Sequence, residues 1–435
     1  MKIKGSAMIV PTDGMVIEQD TVFKQGVYYL PNGIVIGADN VTLDGNGALL
    51  VGKKRNGPGV TLERYNGVTI KNLKLREYEY GIRAYHAEGL TISGCQITST
   101  REEPPNTLFL DIWLPAERAY GGGILLWSVQ DSQITGNDLQ HQMNGLLTYQ
   151  CQRLTVKGNV ANYCSGFGIH LYATSNSLFE ENSADFCCRY EPRGERKGHM
   201  GADATGFLIV AGSSNNIFRR NFARMGGDGF FMAGLNPQFA HRGCNDNRFE
   251  ENDASYSPNI GFESTFCKGN VYVNNYANRC NYGFWLGFSE GYVLEDNVMM
   301  YNAQAGIAVE NGCGFRVRRN TFQDNGHGIL LWSKHIPAFD EAVPKNTTSY
   351  DWLIEDNTFI HNDKAIRIAA DQDHGIRPYQ GGAPRPHDHV IRKNKVEANR
   401  IGVELLNCGR NVVQDNTMRG NVEGDVKDEK RHPLG

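Results

Sequence analysis

Residues 144–182 read NGLLTYQCQRLTVKGNVANYCSGFGIHLYATSNSLFEEN, and one short phrase within them decides the fold. An apolar residue, two others and an asparagine close two successive segments, VKGN at Asn159 and FEEN at Asn182, and each is interleaved with a strand that opens on glycine, GLLTY from Gly145 and GIHLY from Gly168. The phrase recurs outward in both directions, at Asn137, Asn159, Asn182, Asn221, Asn252, Asn275, Asn297, Asn320, Asn357, Asn394 and Asn416. Neighbouring asparagines are 22, 23, 39, 31, 23, 22, 23, 37, 37 and 22 residues apart, so the short steps are single coils and the long ones are coils with an insertion.

The glycine strand recurs with it: GIRAY from Gly81, GILLW from Gly123, GFLIV from Gly206, GFFMA from Gly229, GFEST from Gly261, GFWLG from Gly283, GIAVE from Gly306, GILLW from Gly328 and GVELL from Gly402. AIRIA carries Ala365 in the glycine slot. The position after each glycine is apolar (Ile82, Ile124, Leu146, Ile169, Phe207, Phe230, Phe262, Phe284, Ile307, Ile329), so it faces inward, and strand alternation sends the next residue out. An asparagine repeated once per coil can bond the amides of the coils above and below and tolerates left-handed turn geometry, which predicts a structural ladder. Many short strands with 50 Gly and only 15 Pro fit an all-β solenoid, about a dozen coils of three strands each.

At this point the chain resembles the right-handed parallel β-helix repeat proteins, a group that includes pectate lyases, polygalacturonases, fructan-rearranging transferases and alginate epimerases. VTLDGNGALL at 41–50 and VTIKNLKL at 68–75 are similar to the first coils of that fold. The resemblance implies a single-stranded right-handed parallel β-helix over residues 1–420, an N-terminal cap at about 1–35, and a carbohydrate as the partner. Residues 421–435 read as a polar tail, and the number of copies per assembly, a trimer included, stays open.

Charge excludes one class of partner. Lys and Arg number 44 against 48 Asp and Glu, net −4, with no basic stripe of the kind that tracks phosphates, so nucleic acid is not expected. No run approaches the roughly 18 apolar residues of a membrane span, and the start, MKIKGSAMIVPTDGMVIEQD, has no apolar export core. A cytoplasmic protein is the expectation, or a secreted one if a leader has been lost. Ten cysteines without a CxxC pair predict buried thiols, with Cys164, Cys187 or Cys188, and Cys280 stacked inside successive turns, and neither a metal nor a cofactor.

The insertions locate the working face, because loops on a rigid scaffold carry function. Residues 99–120 and 187–203 precede their glycine strands, whereas 234–247, 333–350 and 371–388 follow theirs, which predicts a groove floored by outward residues and bordered on both edges. Its aromatic residues, Trp127, Tyr149, Tyr172, Trp285 and Trp332, offer flat faces to sugar rings, and His170 and His327 offer hydrogen bonds.

Glycoside cleavage needs two carboxyl groups, and the groove supplies Asp228 in MGGDGFF, Glu263 in NIGFEST and Asp203 in HMGADATGF. Strand and coil spacings put Asp203 and Asp228 roughly 8 Å apart and Asp228 and Glu263 roughly 11 Å. The placement of Asp228 before its glycine is similar to the catalytic aspartates of polygalacturonases, and His327 in NGHGILL resembles their Gly-His-Gly element, although no Asp-Asp pair is present. The leading expectation is a glycoside hydrolase, or an intramolecular glycosyl-transferring enzyme, with Asp228, Glu263 and Asp203 catalytic. The alternatives are a polysaccharide lyase or C5-epimerase using His170 or His327 as base, and a carbohydrate-binding solenoid without catalysis.

Overall fold

Strands shorter than seven residues, almost all parallel, build the protein in a computed structural model that describes residues 8–371, 379 and 384–430. It is an all-β, right-handed parallel β-helix with one short helix, Pro337–Ala342, and one helical turn at Ala116–Arg118 among the described residues. Contacts group it into two compact units, one running to Ile209 and including Ser213–Gly227, the other Val210–Gly212 with the chain from Asp228 onward.

In the first unit the glycine strands pair in parallel and in register, Ile82 beside Ile124, Leu146 and Ile169, and Arg83 beside Leu125, Leu147 and His170. In the second, Phe262 lies beside Phe230 and Phe284, followed by Ile307, Ile329, Ile366 and Val403. All these inward residues are buried, and the rings of Phe230, Phe262 and Phe284 stack at 4.9 and 4.8 Å. Glycine opens the strand because of close approach: a Cβ on Gly145 would sit 2.5 Å from the Gly168 carbonyl oxygen, and one on Gly283 2.6 Å from that of Gly306.

The asparagine ladder forms in both units. In the first, Asn137, Asn159 and Asn182 each donate backbone N–H and side-chain amide to the Oδ1 of the next rung, ending at Asn221, at 2.8–3.1 Å. In the second the same pattern runs from Asn252 to Asn416. The left-handed residue, however, is the one before each asparagine, as at Gly158 (φ 63°), Asn274 (φ 56°) and Asp296 (φ 57°), not the asparagine itself. That residue turns the chain so that the asparagine side chain points inward, where its amide replaces water for buried backbone groups.

Five residues beyond the ladder runs a second column. It holds Cys164 and Cys187 in the first unit, and Cys280, Asn302, Asn325, Asn362, Asn399 and Asn421 in the second, where the asparagines bond as the first ladder does. The cysteine stack is therefore Cys164 with Cys187, and Cys188 points outward. Nine of the ten cysteines are buried and Cys188 is exposed, all as free thiols. A thiol reagent is expected to label one position, Cys188, in the native protein and all ten after denaturation, as counted by mass spectrometry.

Three strands per coil hold only at the ends. The third sheet comprises four strands from Val27–Tyr29 to Gln96–Thr98 in the first unit and five from Val298–Met300 to Thr417–Arg419 in the second. Between them the third side shrinks to single bridges such as Asp138 with Val160 and Asp253 with Tyr276. The polar end at 421–435 contains a strand, Val426–Glu429, paired with Ile401–Leu406. Most of the insertion 371–388 lies outside the described residues.

Candidate functional site

The outward face of the first unit is roofed, not open. Leu125, Leu147 and His170 are at most 2% exposed although they point away from the core, and Tyr149 is 3% exposed. The insertion 187–203 folds as an antiparallel hairpin, Tyr190–Arg193 with Arg196–Met200, turning at Gly194. It is tied to the insertion 99–120: Asn106 N–H donates to the Tyr190 carbonyl at 2.9 Å, Gly198 N–H to Asn106 Oδ1 at 2.7 Å, and Arg189 Nη2 to the Pro104 carbonyl at 3.1 Å. Buried Leu110 and Ile112 supply apolar cover in the first of these segments.

Two carboxyl groups stand out in this assembly. Glu191, in register with His199 on the hairpin, is fully buried. Burial pushes its carboxyl above the usual range, with the Arg193 and Arg189 charges pulling back. Asp203, half-buried where the hairpin returns to the sheet, is raised to about 6, first by burial and then by the Glu191 carboxylate. Like charges in a desolvated place cannot both ionise cheaply, so each carboxyl group holds its proton to higher pH than it would alone. Arg189 is buried too, and its charge is felt by Tyr120 as well as Glu191.

Beside this lies an aromatic group. The Tyr149 ring meets His170 edge-on at 5.1 Å and Tyr172 at 5.4 Å, while Phe167 stacks on His170 at 5.4 Å. Burial lowers His170 to about 3 and leaves its Nδ1 without a partner, and burial holds the Tyr149 hydroxyl well above 10. Tyr85 and Trp127 form a second edge-on pair at 5.2 Å. Tyr149 and His170 are thus covered residues, whereas Trp127 and Tyr172 remain half-buried.

His170 carries a pH dependence with a definite sign. The folded chain keeps it neutral down to about pH 3, while the unfolded chain protonates it below about 6.5, so its contribution to stability is full above 6.5 and falls as the pH drops. Buried His389 acts in the same sense. Asp203 acts oppositely: the folded state holds its proton up to about 6, so its contribution is greatest below 3.8 and is lost as the pH rises through 6. In urea titrations the loss of stability between pH 7 and pH 5 is expected to be smaller in His170→Asn than in the parent chain.

In the second unit the sequence-derived residues are dispersed. Asp228 is fully buried, and its Oδ1 accepts from Ile260 N–H and Asn259 Nδ2, both at 2.9 Å. It therefore binds one coil to the next, a structural role for a residue expected to be a catalytic acid. Trp332 is fully buried and meets Trp285 edge-on at 5.3 Å in an apolar cluster with Ile260, Tyr282, Ala305, Ala308 and Leu330. It lines no groove, a second departure from expectation, and Trp285 is half-buried against the same cluster. Glu263 is half-buried between Phe231 and Trp285. His327 contacts the Gln304 carbonyl through Nδ1 at 3.2 Å, and burial lowers it to about 4.

The insertions 99–120 and 187–203 belong to the first unit, and 234–247 and 333–350 to the second. Within the second unit, the latter two converge on Phe266 and Phe288, stacked at 4.8 Å, with Phe339 edge-on to both at 5.0 Å. They enclose a cavity of about 470 Å³ lined by His241, Lys268, Glu290 and Lys345 among others. Sequence reasoning missed Glu191. The alternation in CCRYEPRGERKGHM around Arg193-Gly194 was the available signal for a hairpin.

Comparison with known proteins agrees with this architecture. The family described as periplasmic copper-binding protein (NosD) matches residues 32–252, half of the chain, and the right handed beta helix region matches residues 236–347. No curated protein sequence matches. Among solved structures, the mannuronan C-5 epimerase AlgE4 A-module of Azotobacter vinelandii superposes with a TM-score of 0.51 at 14% identity, over 85% of this chain and 90% of that one. The periplasmic alginate epimerase AlgG gives 0.49 at 13% over 85% and 78%. A DFA-IIIase from Arthrobacter chlorophenolicus A6 gives 0.36 at 12% over 76% and 69%. At these identities the likeness is one of fold.

Proposed function

The chain belongs to the NosD family of β-helix proteins, and within that family we propose that it is a carbohydrate-active enzyme, a glycoside hydrolase or intramolecular glycosyl-transferring enzyme whose chemistry sits under the roof of the first unit. The observation that carries this reading is the Asp203–Glu191 pair, two carboxyl groups held above their ordinary range where two insertions meet. Asp203 keeps its proton up to about pH 6 and is the half-exposed member, so it protonates the leaving glycosidic oxygen. Glu191 supplies the second carboxyl group, and its charge keeps the proton on Asp203 until substrate takes it. Glu263 is the acid we assign to the second unit, as a carboxylate that meets substrate there.

A second reading, C5 proton abstraction from a uronate, is favoured by one contact: neutral His170 against protonated Tyr149 makes a base and an acid side by side. The structural neighbour of TM-score 0.51 bears the name of such an epimerase. Product analysis separates the two. Incubation with neutral and uronic polysaccharides is expected to yield new reducing ends without ultraviolet absorbance from an unsaturated sugar. Unsaturated or epimerised product moves the assignment to His170 and Tyr149, and binding without any product removes catalysis.

The family's description also names copper. Among the described residues no three His, Cys, Asp or Glu side chains converge to hold a metal ion, and buried thiols such as those of Cys151 and Cys280 lie against backbone carbonyls. The described residues therefore offer no such cluster for copper, and no step passes through it. The same description names the periplasm, so the cytoplasmic expectation gains no support. No helix among the described residues is long and apolar enough to cross a membrane.

A further inference from the structure

On the first unit a cavity of about 340 Å³ opens where strand Tyr80–Tyr85 meets the insertion 99–120. That size is at the small end of ligand pockets, which run from roughly 300 to 1,000 Å³. Arg83 projects into it from the outward column, with its guanidinium over the Tyr85 ring at 5.2 Å. Its Nε is buried and has no acceptor, and among the described residues no carboxylate lies within ion-pair distance of it. A buried donor left open at a cavity wall calls for an acceptor from outside the protein.

The other charges in the cavity decide what that acceptor is. Glu79 is held by Arg101 at 2.8 Å, and Glu103, Glu117 and Arg118 complete the lining. Three arginines stand against three glutamates, so the cavity is neutral as a whole with both signs closely interleaved. An anionic group placed on Arg83 meets carboxylates on its other sides. A sugar hydroxyl, which donates and accepts at one oxygen, satisfies both, and the Tyr85 ring beside it suits a C–H face.

We infer that this cavity is a subsite for one neutral sugar residue of the substrate, with Arg83 donating to a ring or hydroxyl oxygen and Glu117 accepting from a neighbouring hydroxyl. The inference rests on reading the first unit as a saccharide-processing unit, and it gives that unit a substrate class: a neutral glycan, not a uronate polymer. Arg83 lies three strands from His170 in the same sheet.

The test reads binding alone, so it stands apart from whether Asp203 is the acid. Isothermal titration of the Asp203→Asn protein with cellotriose, xylotriose, an inulin-type fructotriose and trimannuronate is expected to show at least one neutral trisaccharide binding more tightly than trimannuronate. Adding Arg83→Ala should weaken that binding about tenfold or more, the worth of a lost hydrogen bond to a charged group, and Arg83→Lys by less. Glu117→Arg lies at the exposed rim, leaves the sheet untouched, and should shift preference toward trimannuronate. The inference is overturned if no neutral probe binds, if trimannuronate binds best to the parent cavity, or if folded Arg83→Ala and Glu117→Arg proteins bind as the parent does.

Discussion

Asp203→Asn is expected to lower turnover by about 10²–10⁴-fold, the usual worth of a positioned general acid, with the fold retained. Asparagine keeps the size of the side chain and removes the proton that burial and Glu191 hold on Asp203 up to about pH 6. The pH profile is the sharper readout. In the parent enzyme the alkaline limb of kcat/KM follows loss of that proton, so activity falls as the pH rises through about 6 unless bound substrate raises it further. Asp203→Asn removes the limb. Glu191→Gln leaves the acid in place but removes the neighbouring charge and the second carboxyl group, so the limb moves to lower pH and the maximal rate falls as well. If Glu191→Gln leaves the limb where it was, the two carboxyl groups are not coupled and the proposed pairing is wrong.

The largest loss of stability is expected at the centre of the ladder. Asn297 is fully buried, donates its amide to the Tyr272 carbonyl and Asn320 Oδ1, both at 3.0 Å, and accepts from Asn275 N–H at 2.9 Å and its side-chain amide at 3.0 Å. Alanine strands those partners away from water. With about 1–3 kcal/mol for each buried group left unsatisfied, Asn297→Ala should cost about 3–5 kcal/mol. Asn416, the last rung among the described residues, is only partly buried, so Asn416→Ala should cost about 1 kcal/mol. Urea unfolding measures both, and equal costs would mean that the rungs contribute through turn geometry and not through their amides.

The coil was legible because its constraint falls on one residue type at one phase. Only glycine or a small residue tolerates the carbonyl of the next coil, and only asparagine bonds both neighbours, so Gly145, Gly168 and Gly283, and Asn159 and Asn297, declare themselves. The second column was not legible because its constraint is looser. A position that accepts Cys164, Cys187, Cys280 or Asn302 equally well asks only for a small inward donor.

The site was less legible for a related reason. Alternation says that Leu125, Leu147 and Leu208 point out, but not what covers them, and leucines at consecutive outward positions were the sign of a roof. Asp228 misled because an aspartate before a glycine strand serves equally as a reactive acid or as an acceptor for the next coil's N–H. In the structure Asp228 accepts from Ile260 N–H, which is the second of these roles. Glu191 lies in an insertion with no register to the repeat, where periodicity carries no information at all.

The ladder also fixes how such a chain can change length. Each rung closes only on a rung at the same phase, so removing residues 276–297, one full step, leaves every remaining asparagine opposite another, whereas removing two or three residues fewer leaves the amides beyond that point facing the wrong backbone. Length in this protein is quantised in the coil, and gradual drift is confined to the loops where its candidate chemistry resides.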